Sequence, residues 1–425
     1  MSVRTGNRDA RALPGRLSTP TRAVLRLGSV AARASRAAGY EGQMIGGRLA
    51  LMLRPDCLAE LARGRRVVLV SGTNGKTTTT AMLAAALGTR EPVASNSSGA
   101  NMLDGLTAAL ADSPARTAVG EVDELHLPAA ARATCPEALV LLNFSRDQLD
   151  RATELREIVT RLRAFAAEQP DLPVLANCDD PNVVYAAAAF RRVVWAGVGT
   201  SWSGDADNCP HCGHRLQVEQ QHHWHCPRCL LRRPQPEWER DGGALVGPRG
   251  ERFALQPRLP GEVNEINAAM AASTAAAFGI APDRAVSAVS AVDDVAGRYR
   301  TLAVGQHQVR LLLAKNPAGW AATLDLLVAA NTPIVISVNA RQADGRDTSW
   351  LYDVEFERLA GARVVVTGER AADLGVRLSY AEVPHGSAPS ALAALDQLPP
   401  GPVLVVGDYT SFLAARSRLE EQSAR

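Results

Sequence analysis

A glycine-rich loop with one lysine is the segment of this chain best suited to chemistry. The chain has 46 basic residues but only two lysines, Lys76 and Lys315, which indicates a need for a compact, flexible charge at those positions. The loop residues in order are Gly72, Thr73, Asn74, Gly75, Lys76, Thr77 and Thr78. In such loops backbone amides face phosphate oxygens, the lysine reaches the terminal phosphates and the hydroxyl after it ligates Mg²⁺. The pattern predicts ATP binding, with Mg²⁺ on Thr77.

Polar residues in two later segments are placed to complete this site. Glu121 ends an apolar run and precedes two further acids. Carboxylates at the carboxyl edge of a parallel sheet suit a divalent cation, so we predict Glu121 as a Mg²⁺ ligand and catalytic residue; the alternative is a solvated charged loop. Asn264 and Asn267 fall on one face of an Ala-rich helical stretch, where their amides can meet a base or ribose.

Four of the seven cysteines form two CxxC pairs, Cys209 with Cys212 and Cys226 with Cys229. This spacing is typical of a tetrahedral four-thiolate zinc ribbon, which we place as an insertion at about 205–233. Five of the eight histidines lie nearby, which leaves a histidine ligand open. A formal net charge of +2 argues against a nucleic-acid partner.

The elements that position these residues alternate between strand and helix. Apolar runs predict strands at 66–70, 117–119, 138–142 and 174–175, and the stretches between them predict helices such as 77–87 and 155–168. The alternation indicates a doubly wound parallel sheet. A second α/β series begins after Arg298 and includes a helix predicted over 350–359. We therefore predict an unstructured tail at 1–18, an ATP-binding domain at 19–300 and a smaller α/β domain at 301–425.

Composition restricts the class of protein. An apolar content of 46% and a charged content of 21% over 425 residues are typical of a soluble globular protein. The absence of an export signal and the metal-like use of cysteine favour the cytoplasm. Residues 1–50 hold nine arginines and two acids, and a helix is predicted from Thr19. That helix can rest on an anionic membrane surface or pack on the next domain with its arginines in water.

The phosphate loop carries a family resemblance. Gly72 lies four residues before Lys76, whereas the common P-loop places its first glycine six before the lysine. This short form resembles the loop of the Mur ligase and folylpolyglutamate synthetase superfamily, whose members activate a carboxylate with ATP and form an amide bond. Segments beginning at Asn143, Asn177 and Gly261 are similar to later motifs of that superfamily.

The C-terminal half narrows the resemblance to the MurT family. The run from Ala314 to Gly319, the segment from Asp344 to Asp353 and the ribbon inside the ATP-binding domain are similar to that family. It implies an ATP-dependent carbon–nitrogen ligase that amidates the α-carboxyl of D-glutamate in the lipid II stem peptide through an acyl phosphate. The resemblance also implies nucleotide contacts for Arg298, Lys315 and Asn316. Asp408 departs from the asparagine that the family pattern leads us to expect.

The ammonia source is predicted to lie outside this chain. The cysteines beyond the ribbon are Cys57, Cys135 and Cys178, and none sits in a recognisable nucleophile motif. The resemblance implies a GatD-like glutaminase partner, to whose Cys–His pair Asp347 adds an acid; the alternative is Asp347 as the N-cap of the following helix. An alternative function is a stand-alone Mur or folylpolyglutamate-type ligase that adds an amino acid. A lipid II substrate implies activity at the inner membrane face.

Overall fold

The computed structural model describes residues 17–37, 43–96, 99–145, 154–199, 207–219, 223–295, 299, 301–341 and 344–423. The contacts of these residues divide the chain into two compact units. The first holds the described residues up to Phe144, 155–258 and 263–292. The second holds Ser145, Glu154, 259–262 and the described residues from Asp293 onward. Arg298 and most of the predicted tail lie outside the described residues.

The first unit is built on a nine-stranded sheet in the order β11-β10-β9-β6-β5-β4-β1-β3-β2. Its strands are β1 (Arg66–Ser71), β2 (Val93–Ser95), β3 (Thr117–Glu121), β4 (Ala138–Leu141), β5 (Val174–Asn177), β6 (Val193–Gly197), β9 (Trp238–Asp241), β10 (Ala244–Val246) and β11 (Arg252–Ala254). The ladders from β2 across to β9 are parallel, and β9, β10 and β11 are antiparallel. Two further short strands, β7 (Gln217–Val218) and β8 (Trp224–His225), form a separate hairpin.

Helices cover this sheet and connect its strands. They are α1 (Thr19–Ala37), α2 (Gln43–Leu53), α3 (Cys57–Ala62), α4 (Lys76–Gly88), α5 (Leu103–Asp112), α6 (Leu127–Thr134), α7 (Glu154–Glu168), α8 (Pro181–Ala187), α9 (Glu262–Ala277) and α10 (Pro282–Ser290). The central strands are buried along their length, as expected of a sheet covered on both faces. The predicted parallel sheet is confirmed. The β9–β11 extension was not predicted, because these strands are short and mix charged with apolar residues.

The second unit has a six-stranded sheet in the order β12-β13-β17-β14-β15-β16. Its strands are β12 (Thr301–Val304), β13 (His307–Leu313), β14 (Ile334–Ser337), β15 (Val364–Thr367), β16 (His385–Ser387) and β17 (Gly401–Gly407), and its helices are α11 (Pro317–Ala330), α12 (Ala371–Tyr380), α13 (Ala391–Leu395) and α14 (Tyr409–Ser423). Only the β12–β13 ladder among these is antiparallel. None of the helices in the described part of the chain is both long and apolar enough to cross a membrane.

The prediction of one continuous helix over 350–359 is wrong. Two short 3-10 helices, Ser349–Asp353 and Phe356–Leu359, occupy that stretch. The buried guanidinium of Arg377 donates hydrogen bonds to the carbonyls of Leu351 (3.2 Å) and Val354 (2.6 Å). Those carbonyls would accept backbone N–H groups in a continuous α-helix, so a side chain distant in sequence ends the helix.

Candidate active site

The phosphate loop joins the buried strand β1 to helix α4, as the sequence predicted. Gly75 has φ 82° immediately before α4, and a Cβ atom there would lie 2.3 Å from Oδ1 of Asn267. A Cβ atom on Gly72 would lie 2.7 Å from the Cβ of Leu142. Both positions therefore require glycine, for conformation at Gly75 and for space at both.

Lys76 is buried at the centre of the loop. Its Nζ donates to the carbonyl oxygens of Gly72 (2.5 Å) and Thr73 (3.3 Å) and lies 3.2 Å from Oε2 of Glu124. The two charged side chains are 8% and 6% exposed. A carboxylate this close compensates the cost of burying the ammonium. The loop itself thus holds the lysine where bound phosphates would meet it.

Glu124 is one of the two acids that follow Glu121, and the sequence predicted no separate role for it. We chose Glu121 because it directly ends β3, yet Glu124 makes the ion pair with Lys76. Glu121 is 2% exposed and is paired in register with Val70, so it lies at the same sheet edge as the loop. The side chain of Asn96 accepts from the Glu121 N–H (2.7 Å) and donates to its carbonyl (2.9 Å). This edge therefore carries two buried carboxylates.

The first turn of α4 and the end of β3 offer the oxygen donors that Mg²⁺ prefers. Thr77 and Thr78 are buried in that turn, and β1 and β3 are adjacent and parallel, which brings the Glu121 end of β3 beside the loop. A threonine hydroxyl with one carboxylate and substrate phosphates is a common Mg²⁺ donor set. The residues fit the ion, and Thr77 and Glu121 stay predicted ligands.

Asn143, which follows β4, holds the loop from the other side. Its Oδ1 accepts from the Asn74 N–H (2.9 Å), its Nδ2 donates to the Asn74 carbonyl (3.0 Å) and its own carbonyl accepts from the Thr73 N–H (2.9 Å). The sequence placed Asn143 in a family-like segment but gave it no role. Its contacts with two consecutive loop residues make it part of the site.

The two asparagines predicted to meet a base or ribose both lie buried on α9. Oδ1 of Asn267 accepts from the Thr79 hydroxyl (3.2 Å) and stands against Gly75. That position suits a residue that supports the loop. Asn264 is fully buried one turn earlier, and its nucleotide contact stays a prediction.

The loop is connected through β5 to the cysteine-rich insertion. Asp180 caps α8 and accepts from the Phe144 N–H (2.8 Å), next to Asn143. The neighbouring Asp179 forms a buried ion pair with Arg233 at 2.6 Å, with side chains 2% and 5% exposed. Within the insertion, Trp224 donates to the Cys178 carbonyl (3.1 Å). Hydrogen bonds of neighbouring residues in the chain, Asp179 with Asp180 and Asn143 with Phe144, thus join the insertion to the phosphate loop.

The two CxxC pairs converge as the sequence predicted. The four Sγ atoms of Cys209, Cys212, Cys226 and Cys229 lie within 4.8 Å of one another. Tetrahedral zinc with Zn–S bonds of about 2.3 Å needs S···S separations of about 3.8 Å. Two pairs here are separated by 3.4 and 3.5 Å. The four thiols therefore fit a Zn²⁺ ion, and no histidine belongs to the metal-ligating groups found among the described residues.

In the second unit, Lys315 and Asn316 lie between β13 and α11. Asn316 is fully buried, and its Oδ1 accepts from the Gly319 N–H (2.7 Å) as the N-cap of α11. This cap accounts for the asparagine locally. Lys315 is half-buried beside it. Their predicted nucleotide contacts stay predictions.

Asp347 lies exposed on the segment that follows β14. Its carboxylate accepts from the Ser349 N–H (2.8 Å), and this bond lowers the pKa of Asp347, so the group is charged at neutral pH. The predicted N-cap role is wrong, because Thr348 is the N-cap of the 3-10 helix Ser349–Asp353 and no side chain caps it. The Asp347 contact instead closes a short turn just before that helix. The carboxylate is also accessible to another protein, as the predicted contribution to a partner's Cys–His pair requires.

The remaining thiols do not resemble a nucleophile. Cys57 and Cys178 are fully buried, and burial raises the pKa of both, which opposes thiolate formation. Cys135 is exposed on the C-terminal cap of α6. The external ammonia source stays a prediction.

Two family models match the chain, one mostly within the first unit and one within the second. The family model for the Mur ligase middle domain matches residues 70–275, and that for the MurT ligase C-terminal domain matches residues 313–412. The chain is 32% identical to the lipid II isoglutaminyl synthase (glutamine-hydrolyzing) subunit MurT of Staphylococcus aureus (strain COL), over 85% of this chain and 88% of the relative. The Streptococcus pneumoniae (strain ATCC BAA-255 / R6) subunit of the same name is 29% identical, over 75% and 77%.

A solved structure shares the fold. The pseudomurein peptide ligase type C from Methanothermus fervidus superimposes with a TM-score of 0.67 at 19% identity, over 84% of this chain and 79% of that one. At this identity the likeness concerns the fold alone, and it confirms the predicted Mur ligase architecture. The family follows from the Staphylococcus aureus relative at 32% identity and from the two family models. The chain belongs to the MurT family of the Mur ligase superfamily.

Proposed function

We propose that this chain is the ATP-dependent synthetase subunit that amidates the α-carboxyl of D-glutamate in the lipid II stem peptide, giving D-isoglutamine. The observation that carries the proposal is the buried Lys76–Glu124 pair in the phosphate loop of a MurT-family chain. The carboxylate attacks the γ-phosphorus of ATP and ADP leaves, which gives an acyl phosphate. Ammonia then attacks the acyl carbon, and phosphate leaves as the amide forms.

Residues in and around the phosphate loop contribute to formation of the acyl phosphate. Backbone N–H groups at the start of α4 bind phosphate oxygens. Lys76 exchanges its carbonyl partners for phosphate oxygens and neutralises the charge that develops on the transferred group. Asn143 and Asn267 keep Asn74 and Gly75 in position while this exchange occurs. Glu124 compensates the lysine charge whenever the phosphates have left.

Metal ions have separate parts. Thr77 and Glu121 would hold Mg²⁺, which when bound would supply charge neutralisation for the transferred phosphoryl group. The four cysteine thiolates would hold Zn²⁺ as a closed structural site, since all four coordination positions are filled by protein. The ribbon then supports the loop through Asp179 and Asp180.

The ammonia would come from a separate glutaminase subunit of the GatD type. The names of the relatives describe a glutamine-hydrolyzing enzyme of which MurT is one subunit. An exposed, charged Asp347 supports a role in completing that partner's Cys–His pair. A lipid-linked substrate would bring the protein to a membrane surface.

The test is an amidation assay on lipid II with purified chain, ATP and three nitrogen donors. With ammonia the chain alone should form the amide, and with glutamine it should require the partner glutaminase. Mass spectrometry should show a loss of about one mass unit, as a hydroxyl becomes an amino group. Incorporation of a whole amino acid, with no reaction from ammonia, would establish the alternative stand-alone ligase instead.

A further inference from the structure

Exposed apolar side chains are concentrated on the first two helices of the chain. Six large ones lie on α1 and α2 and are between 43% and 74% exposed: Leu27, Val30, Met44, Ile45, Met52 and Leu53. Others in the described part of the chain are scattered, two of them on the cysteine-rich insertion and two on α12. A cluster of exposed apolar residues indicates a surface that binds another protein or a membrane.

The inner faces of these helices are already fully used in packing. A Cβ atom on Gly28 would lie 2.6 Å from the Gly46 carbonyl oxygen, and one on Gly47 would lie 1.9 Å from that of Asp104. The helices therefore pack closely on each other, and α2 packs closely on α5. Thr21 is fully buried and donates its hydroxyl to Glu60. The exposed apolar residues thus belong to an outer face.

The charge of this face selects its partner. Helices α1 and α2 contain five arginines and no acidic residue. Arg22, Arg26 and Arg33 are exposed and follow one another at helical spacing along α1, so they form one row. The residue after each of them is small or apolar, and these residues form a second row beside the first: Ala23, Leu27 and Ala34. Val30 continues that apolar row, and Arg48 is exposed on α2 between Ile45 and Met52.

A row of arginines beside a row of apolar side chains is the composition of helices that lie in a lipid interface. The apolar side chains enter the acyl boundary while the guanidinium groups pair with lipid phosphates. Arginine and methionine are also enriched at protein–protein interfaces, so the choice of a lipid surface rests on charge: α1 and α2 carry arginines and no acidic residue. An anionic lipid surface therefore matches both rows at once.

We propose that the outer face of α1 and α2 is a docking surface for an anionic phospholipid membrane. The inference deepens the proposed function and rests on it only for the biological purpose, since a lipid-linked substrate is met at such a surface. The physical case depends on the exposed side chains alone.

Vesicle co-sedimentation of the full chain tests the surface. Vesicles of phosphatidylcholine mixed with phosphatidylglycerol should bind the protein at low ionic strength, and vesicles of phosphatidylcholine alone should bind it far less. High salt should weaken binding, because exposed charges are screened beyond a Debye length. Equal binding to both vesicle types, or none to either, would overturn the proposal.

Two variants separate the contributions of charge and apolar area. Combined Arg22→Gln, Arg26→Gln and Arg33→Gln should weaken partition on the order of 100-fold, since each basic residue near an anionic surface contributes about fivefold. Combined Leu27→Ser, Val30→Ser and Met52→Ser should also release the protein. The matched control, Val218→Ser with Leu230→Ser, changes side chains 71% and 72% exposed elsewhere and should bind like the parent.

Further readouts distinguish the other outcomes. Circular dichroism and zinc content must match the parent in every variant. A dimer seen by light scattering, or binding of the glutaminase, that the apolar variant abolishes while vesicle binding is unchanged would assign the face to protein contacts and refute membrane docking. Amidation of a water-soluble D-glutamyl peptide should be unaffected by either variant. If no substrate is amidated although vesicle binding follows the expected pattern, the proposed function fails and the docking surface stands.

Discussion

The phosphate loop of the first unit and the Asp347 segment of the second differ in how their charged groups are held. Lys76 is 8% exposed and contacts two carbonyls and Glu124, all within its own unit. Asp347 is exposed, and its one hydrogen-bond partner among the described residues is Ser349. The lysine is positioned by the fold that surrounds it, whereas the aspartate is presented outward.

This difference separates two kinds of functional residue. A buried charge is stable only if its own protein neutralises it, so the phosphate loop must be complete before any ligand binds. An exposed carboxylate needs no such compensation and is available to a second protein. We therefore expect damage to the first site to stop every reaction and damage to the second to stop only the partner-dependent one.

The largest effect is expected from Lys76→Arg. A planar guanidinium cannot reproduce the contacts of the compact ammonium with Gly72, Thr73 and Glu124. A charged donor displaced from the transferring phosphate should lower kcat on the order of 100- to 1,000-fold. Amidation should fall equally with ammonia and with glutamine. If Lys76→Arg keeps the activity of the parent, Lys76 has no special role as a point charge.

Asp347→Asn should produce the next largest effect and a selective one. Glutamine-driven amidation should fall on the order of 100-fold, since an acid that orients a catalytic histidine contributes at least this much, while ammonia-driven amidation continues. Asp396→Asn, an exposed aspartate of the same unit, is the matched control and should match the parent. Equal loss with both nitrogen sources would assign Asp347 to folding or to the synthetase reaction.

Arg233→Met tests whether the first site depends on the ribbon. It leaves Asp179 buried without its cation, and the strain should reach Asn74 through Asp180 and Asn143. We expect nucleotide affinity, measured by calorimetry, to fall about tenfold, within the usual range of coupling between sites. Removal of zinc by a chelator should act in the same direction. Arg252→Met breaks an exposed pair with Asp241 and should leave affinity unchanged; unchanged affinity in Arg233→Met too would contradict the coupling.

The smallest effect is expected in the pH dependence of the stability of the second unit. Burial, and then the neighbouring Asp344 carboxylate, raise the pKa of Asp408 although Ser411 and Asn339 donate to it. Between its unfolded and its raised folded pKa the native state binds more protons, so this group lowers stability as pH rises through that interval. Asp408→Asn should remove that contribution. The difference in Tm between variant and parent, followed by calorimetry from acid to neutral pH, should therefore change with pH; a constant difference would contradict the assignment.

Local patterns in the sequence were sufficient to predict the parallel sheet, the strand–loop–helix geometry of the phosphate loop and the convergence of the four cysteines. Each depends on spacing within a short segment: a buried strand, two glycines and a lysine, or cysteines three residues apart. Interactions between distant residues were beyond this reasoning. The 3-10 helices that replace the helix predicted over 350–359 depend on Arg377, whose position opposite Leu351 and Val354 is set by the packing of α12.

The dependence on distant residues also explains why the sequence predicted no role for Glu124. From the sequence alone Glu121 and Glu124 are equivalent candidates, because Glu121 ends β3 and Glu124 lies just after it. The turn after β3 brings Glu124 to Lys76 across a separation of 48 residues, and no local signal indicates which carboxylate arrives there. Asn267 supports Thr79 across 188 residues, for which the sequence offers only a shared helical face.

The sequence by itself was enough to predict a phosphate-binding loop around Lys76 and a cluster of four cysteines that fits zinc, because the geometry of a loop or a knuckle is set by adjacent residues. The tertiary structure alone decided which groups surround that lysine, how the ribbon is joined to it and which apolar side chains remain exposed on α1 and α2. Burial is a property of the folded chain, and it determines whether a charge must be neutralised within the protein or can be offered to a partner.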